Sequence, residues 1–115
     1  EASMYMLGWG GSITDAETTL TPVLRNWQPP PSGVGFYNYG RSSNAKFDDL
    51  AAKSSVEADP AKRKELILAA LTEWKEQVHT IPLHRQVIPW AARANVTAAH
   101  RPDNYFMWEW VTIGK

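Results

Sequence analysis

The stretch that opens at Asp59-Pro60 constrains this chain more than any other. Aspartate accepts the free backbone N–H groups of a helix start, and proline, with its fixed φ and no N–H, suits the first helical position. From there Leu66, Ile67, Ala70, Leu71, Trp74 and Val78 recur on one face over about five turns, the period of an amphipathic helix. Such a stripe must be buried against a second element. Ser43 or Asn44 caps a candidate for it, a helix through Val56 with Phe47, Leu50 and Ala51 at i, i+3 and i+4.

The remaining segments read as strands and loops around this pair. Met4 to Trp9 has strand composition and breaks at Gly8, Gly10 and Gly11, where glycine permits a sharp turn or close approach by another molecule. Asp15 is a plausible N-cap for a helix to Arg25, made short or kinked by Pro22. Pro29-Pro30-Pro31-Ser32-Gly33 predicts a stiff, extended surface loop, and Gly35 to Gly40 a short aromatic strand. Leu83 to Ala92 reads as extended. Tyr105 to Val111 reads as a strand with Trp108 and Trp110 on one side. Together these predict an α/β fold, a mixed sheet with packed helices.

Charge excludes some functions. Lysine plus arginine and aspartate plus glutamate number 12 each, so no net field draws the chain to nucleic acid. Lys62-Arg63-Lys64 is the one basic run and reads as a solvated helix face. No apolar stretch is long enough for a transmembrane helix, and the absence of cysteine removes disulfides and thiolate metal sites. Six tryptophans imply either a packed aromatic core or a surface that holds organic ligands.

Catalysis finds little support. None of His79, His84 and His100 sits in a catalytic motif, and no two share the i, i+4 spacing of a helical metal site. Asp48 and Asp49 are adjacent on a helix and point in different directions. Asp15 and Glu17 read as helix-start carboxylates. No catalytic residue, metal or cofactor is expected.

The landmarks in order are Met6-Leu7-Gly8-Trp9-Gly10, Tyr37-Asn38-Tyr39-Gly40-Arg41-Ser42-Ser43-Asn44, Phe47-Asp48-Asp49-Leu50, Asp59-Pro60-Ala61-Lys62-Arg63 and Ile81-Pro82-Leu83-His84-Arg85-Gln86. From Met4 to Val96 the chain thereby resembles the C-terminal portion of the solute-binding proteins of dipeptide and oligopeptide ABC importers, the bacterial extracellular solute-binding protein family 5. The resemblance implies a much longer, monomeric, periplasmic or extracellular protein, lipid-anchored in some forms. Its two lobes would close on a small-molecule or peptide solute and deliver it to a membrane permease without chemistry. Residues 1–115 would then be a single piece of the second lobe, as a core-like strand so early in the chain also leads one to expect.

It further implies a site drawn from Trp9, Gly10, Gly11, Ser12, Asp15, Asn38, Arg41 and His84. Peptide-binding members carry an aspartate for the peptide ammonium three residues after the tryptophan, where this chain has Ser12. A hydroxyl does not neutralise an ammonium in a closed cleft. Asp15 is left as either a substitute or a helix cap. Asn38 is left as a cleft or a turn residue, Arg41 as a cleft or a solvent residue, and Trp90 as core or pocket lining. Two other classes stand beside this reading: an aromatic-rich interaction domain that associates through Trp108 and Trp110, and a hydrolase using His84 with Ser12 or Asp15.

Overall fold

Capping signals place the two long helices where the sequence puts them. The computed structural model describes residues 4–11, 13–101 and 103–115. Helix α1 is the short turn Glu17–Thr19, α2 spans Ala45–Val56 and α3 spans Pro60–Gln77. Asn44 Oδ1 accepts the Phe47 N–H at 2.9 Å to start α2. Asp59 Oδ1 accepts the N–H groups of Ala61 and Lys62 at 2.8 and 3.1 Å to start α3, with Pro60 in its first turn. Strands β1, Val96–Thr97, and β2, Thr112–Ile113, pair antiparallel with Val96 opposite Ile113. Helices with a small antiparallel sheet are compatible with an α/β class. The sheet among the described residues is two-stranded and antiparallel, in place of the mixed sheet expected.

Two compact units result, Glu1–Ile81 and Pro82–Lys115. The core belongs to the first. Leu20, Leu24, Phe47, Ala51, Ala70 and Trp74 are buried together, with Ala16, Val23, Leu50 and Ile67 against them. The Phe47 and Trp74 rings lie 4.8 Å apart between α2 and α3. The buried face of α3 runs Ile67, Ala70, Glu73 and Trp74, whereas Leu71 and Val78 of the expected stripe are exposed. Leu71 sits on the flank of that face. Val78 lies past the last helical turn, in a left-handed conformation with φ 52°.

Asp15 sits where a helix start was expected, with its Oδ1 accepting the Glu17 N–H at 2.8 Å. The helix is short, as Pro22 requires. With no N–H at Pro22 the α-ladder fails, and residues Leu20–Leu24 widen into a π-turn closed by Arg25 N–H to Leu20 O at 3.0 Å.

Four extended expectations are corrected. Met4 to Trp9 carries no ladder in the structure. A strand exists only where another chain segment satisfies its backbone, and none does so here among the described residues. Gly35 to Gly40 forms successive turns. Its N–H groups cover the carbonyls at the end of the π-turn, Gly35 to Thr21 and Tyr37 to Pro22, both at 2.8 Å. The proline segment folds back as well, with Gln28 N–H donating to Val34 O at 3.1 Å. Trp108–Trp110 winds into a 3-10 turn held by Trp110 N–H to Met107 O at 3.1 Å, so the two indoles do not share a strand face.

In the second unit Trp90 is half-buried. Its indole N–H donates to Asn104 Oδ1 at 2.8 Å, and its ring lies 4.6 Å from His100 and 5.2 Å from Phe106. Arg101 pairs with Asp103 and also lies over the Trp110 ring, 5.6 Å from its centroid. That guanidinium holds the Asp103 carboxyl down at about 2.

Candidate functional site

Two stretches of the first unit meet through their aromatic rings. Tyr5, Leu7 and Trp9 alternate with Met4 and Met6, so one side of the extended chain rests on the unit while both methionines stay more than 80% exposed. The Trp9 ring packs 5.0 Å from Tyr37, and its indole N–H donates to Thr19 Oγ1 at 3.2 Å. Tyr5 meets Tyr39 edge-on at 5.5 Å, Tyr37 meets Tyr39 at 6.2 Å, and Phe36 stands against Tyr37 at 5.0 Å. The result is a surface of five neighbouring aromatic side chains with much of its area open to solvent. Such faces hold flat or apolar parts of an organic molecule.

The glycines beside Trp9 divide by role. A side chain at Gly10 would meet nothing within 4 Å, so its backbone is accessible to another molecule. At Gly11 an added Cβ would lie 2.5 Å from Thr18 Oγ1, so this glycine serves the turn's own packing. Ser12 lies outside the described residues.

The polar candidates are engaged by the protein itself to different degrees. Asp15 receives a bidentate pair from Arg63, Nη1 to Oδ2 at 2.8 Å and Nη2 to Oδ1 at 2.9 Å. With the Glu17 N–H as a second donor, this holds the Asp15 carboxyl at about 2, well below its ordinary 3.8. Arg63 Nε also donates to Ser54 O at 2.9 Å, which ties the end of α2 to the start of α3. The expected solvated basic run is thus corrected at its centre: Lys62 and Lys64 are exposed, and Arg63 is an internal clamp.

Asn38 is 2% exposed with every polar atom occupied. Its Nδ2 donates to Arg25 O at 3.0 Å and Ser42 O at 2.8 Å, and its Oδ1 accepts from Ser42 N–H and O–H at 3.2 and 3.1 Å. This is the turn-holding geometry, one of the two roles open from sequence. Arg41 is exposed, with its guanidinium 3.7 Å from the centroid of the Trp27 ring. His84 belongs to the second unit, is exposed, and makes no hydrogen bond among the described residues. Among those residues no group of three or more histidines and carboxylates is arranged to hold a metal ion.

Sequence reasoning missed the tyrosines as site members and Arg63 as the partner of Asp15. The alternation of Tyr5, Leu7 and Trp9 and the i, i+2 spacing of Tyr37 and Tyr39 were the available signals for the first. No local signal exists for a pair separated by 48 positions.

The geometry describes an open aromatic surface on a helical unit. Along nearly its whole length the chain is similar to proteins named glutathione-binding protein GsiB, from Escherichia coli (strain K12), Escherichia coli O157:H7 and Shigella flexneri. Each is 30% identical over 109 residues, which make up 92% of this chain and 20% of the relative. The chain therefore spans a fifth of the length of the curated relatives it matches. No family model matches the chain, and no solved structure matches it.

Proposed function

We propose that this chain is a C-terminal portion of the solute-binding component of an ABC importer, located in the periplasm or outside the cell, and that it binds and does not transform its solute. The observation that carries the reading is the similarity to glutathione-binding proteins across 92% of the chain. The aromatic surface of Tyr5, Trp9, Phe36, Tyr37 and Tyr39 supports it as one wall of a solute cleft, with Gly10 leaving its backbone approachable. The solute class is peptide-like, glutathione being the nearest chemical example, and the membrane permease is the partner of the whole protein. Trp9, Gly10, Ser12 and Arg41 are the proposed solute contacts of this wall, Gly11 and Asn38 hold its turns, and Asp15 acts through Arg63 as a scaffold. His84, in the second unit, is proposed separately as a solute contact of that unit.

Calorimetry on the intact parent protein with glutathione and with di- and tripeptides tests this. Saturable binding that weakens when Trp9 becomes Ala is expected; a parent that binds none of them refutes a peptide-like solute. The 115-residue chain alone offers one wall and should bind far more weakly.

A second reading rests on Trp108 and Trp110, which are 79% and 50% exposed. As an interaction domain the chain would form a dimer in sedimentation that dissociates in Trp108→Ser.

A further inference from the structure

We infer that Arg41 is the anchor for a carboxylate of the solute, an assignment that rests on the solute-binding reading above and gives its ligand a charge. Between Met4 and Asn44 the chain has four charged residues, Asp15, Glu17, Arg25 and Arg41. The first three turn inward. Asp15 is clamped by Arg63, Glu17 accepts from the Thr21 hydroxyl, and Arg25 faces Asp48 at 4.0 Å. The Arg41 guanidinium has neither a carboxylate nor a hydrogen-bond acceptor among the described residues. It is the uncompensated charge on the same loop that carries Tyr37 and Tyr39.

Its placement is ordered from two sides. The backbone is left-handed, φ 52°, a conformation that any residue with a Cβ adopts at a cost unless its surroundings hold it. Here the buried Asn38 holds it: Arg41 N–H donates to Asn38 O at 3.1 Å, and the Asn38 amide grips Ser42 on the other side. The guanidinium in turn lies against the Trp27 indole. Stacking covers the apolar face of a guanidinium and leaves its N–H edge free. That edge is a planar fork matched to the two oxygens of a carboxylate. Because loop and stack order the side chain beforehand, a ligand carboxylate meets a cation with less conformational freedom left to lose. A hydrated lysine in the same place would offer charge without the fork.

The test is a nuclear magnetic resonance titration of the isotopically labelled 115-residue chain at constant ionic strength and neutral pH. One ligand is N-acetyl-diglycine, and the other is its C-terminal amide, which differs by the carboxylate charge alone. The expected result is a saturable shift of the Arg41 Nε–H and Trp27 Nε1–H signals with the acid and none with the amide. Arg41→Lys, which keeps the charge, and Trp27→Leu, which removes the stack, should each weaken the acid's effect several-fold. Equal shifts from acid and amide would overturn the assignment. So would an equal response of the exposed Arg85 and Arg93, which reports charge alone. These outcomes concern Arg41 only: a parent protein that binds acid and amide peptides equally well defeats the anchor and keeps the solute-binding reading, whereas one that binds no peptide defeats that reading.

Discussion

Asn38→Ala is the sharpest test of how the aromatic surface is held. The side chain makes four hydrogen bonds from a position 2% exposed, bridging the end of the π-turn at Arg25 to the residue before α2's lead-in, Ser42. A typical hydrogen bond contributes about 1 kcal/mol net, and a buried group left unpaired costs about 1–3 kcal/mol. The Ser42 hydroxyl can turn to water once released, but the carbonyls of Arg25 and Ser42 are partly buried and lose their donor. The sum is about 2–4 kcal/mol. Set against the roughly 0.05–0.15 kcal/mol per residue that small proteins retain, this is a large share of the stability of a unit ending at Ile81. Equilibrium unfolding in urea followed by tryptophan fluorescence gives the value, because Trp74 is buried and its emission moves to longer wavelength on exposure. With a slope of about 1 kcal/mol per molar for a small unit, the midpoint should fall by about 2–4 M. Asn38→Asp should also destabilise at neutral pH, since its second oxygen would face two carbonyls where the amide donated. A loss below about 1 kcal/mol for Asn38→Ala would refute the reasoning and return Asn38 to the status of a surface residue free for ligand.

Three further outcomes are expected. Because Asp15 titrates at about 2 when folded and near its ordinary 3.8 when unfolded, its stabilisation is complete above the higher value and disappears as pH falls toward the lower. Urea midpoints measured between neutral and acid pH should therefore drop in that window, and Asp15→Asn should flatten this part of the profile. Phe47→Ala empties a fully buried site against Trp74 and should cost about 3–5 kcal/mol, enough to leave the first unit largely unfolded by near-ultraviolet circular dichroism. Gly35→Ala should fail to fold or be severely destabilised in the same assay. The residue has φ +60°, and an added Cβ would lie 2.5 Å from Arg25 O and 2.7 Å from Asn26 O, both backbone atoms that cannot rotate away.

What the sequence made legible follows the range of the forces involved. Helices α2 and α3 were readable because their signals are local: Asn44 and Asp59-Pro60 cap within three residues, and Phe47, Ala51, Ala70 and Trp74 keep helical spacing. The opposite directions of Asp48 and Asp49 were readable for the same reason. Asp48 accepts from Asn26 N–H, and Asp49 meets Lys53 one turn on. Strands are different, because the same alternating residues are compatible with a sheet, an extended chain on a helical unit or a set of turns. Which one occurs depends on whether a distant segment supplies N–H and C=O partners. Met4 to Trp9 has the alternation without the partner. Gly35 to Gly40 has the aromatics, yet its backbone is drawn to the carbonyls of Thr21 and Pro22, left open where the π-turn ends at Leu24. Pairings such as Asp15 with Arg63 were unreadable for a related reason, since either residue alone looks like an ordinary helix-surface charge.

That pair also bears on the question that Ser12 raises. If Asp15 were to take a solute ammonium, it would do so with a carboxylate that already accepts two hydrogen bonds from Arg63 and one from the Glu17 N–H. The Arg63 guanidinium neutralises that carboxylate, so an ammonium brought there meets a cation beside the anion and gains little net attraction. On the loop that carries Tyr37 and Tyr39 the outward charge is the positive one at Arg41, so under the proposed reading a solute on this wall gains more from presenting a carboxylate to it than from presenting an ammonium.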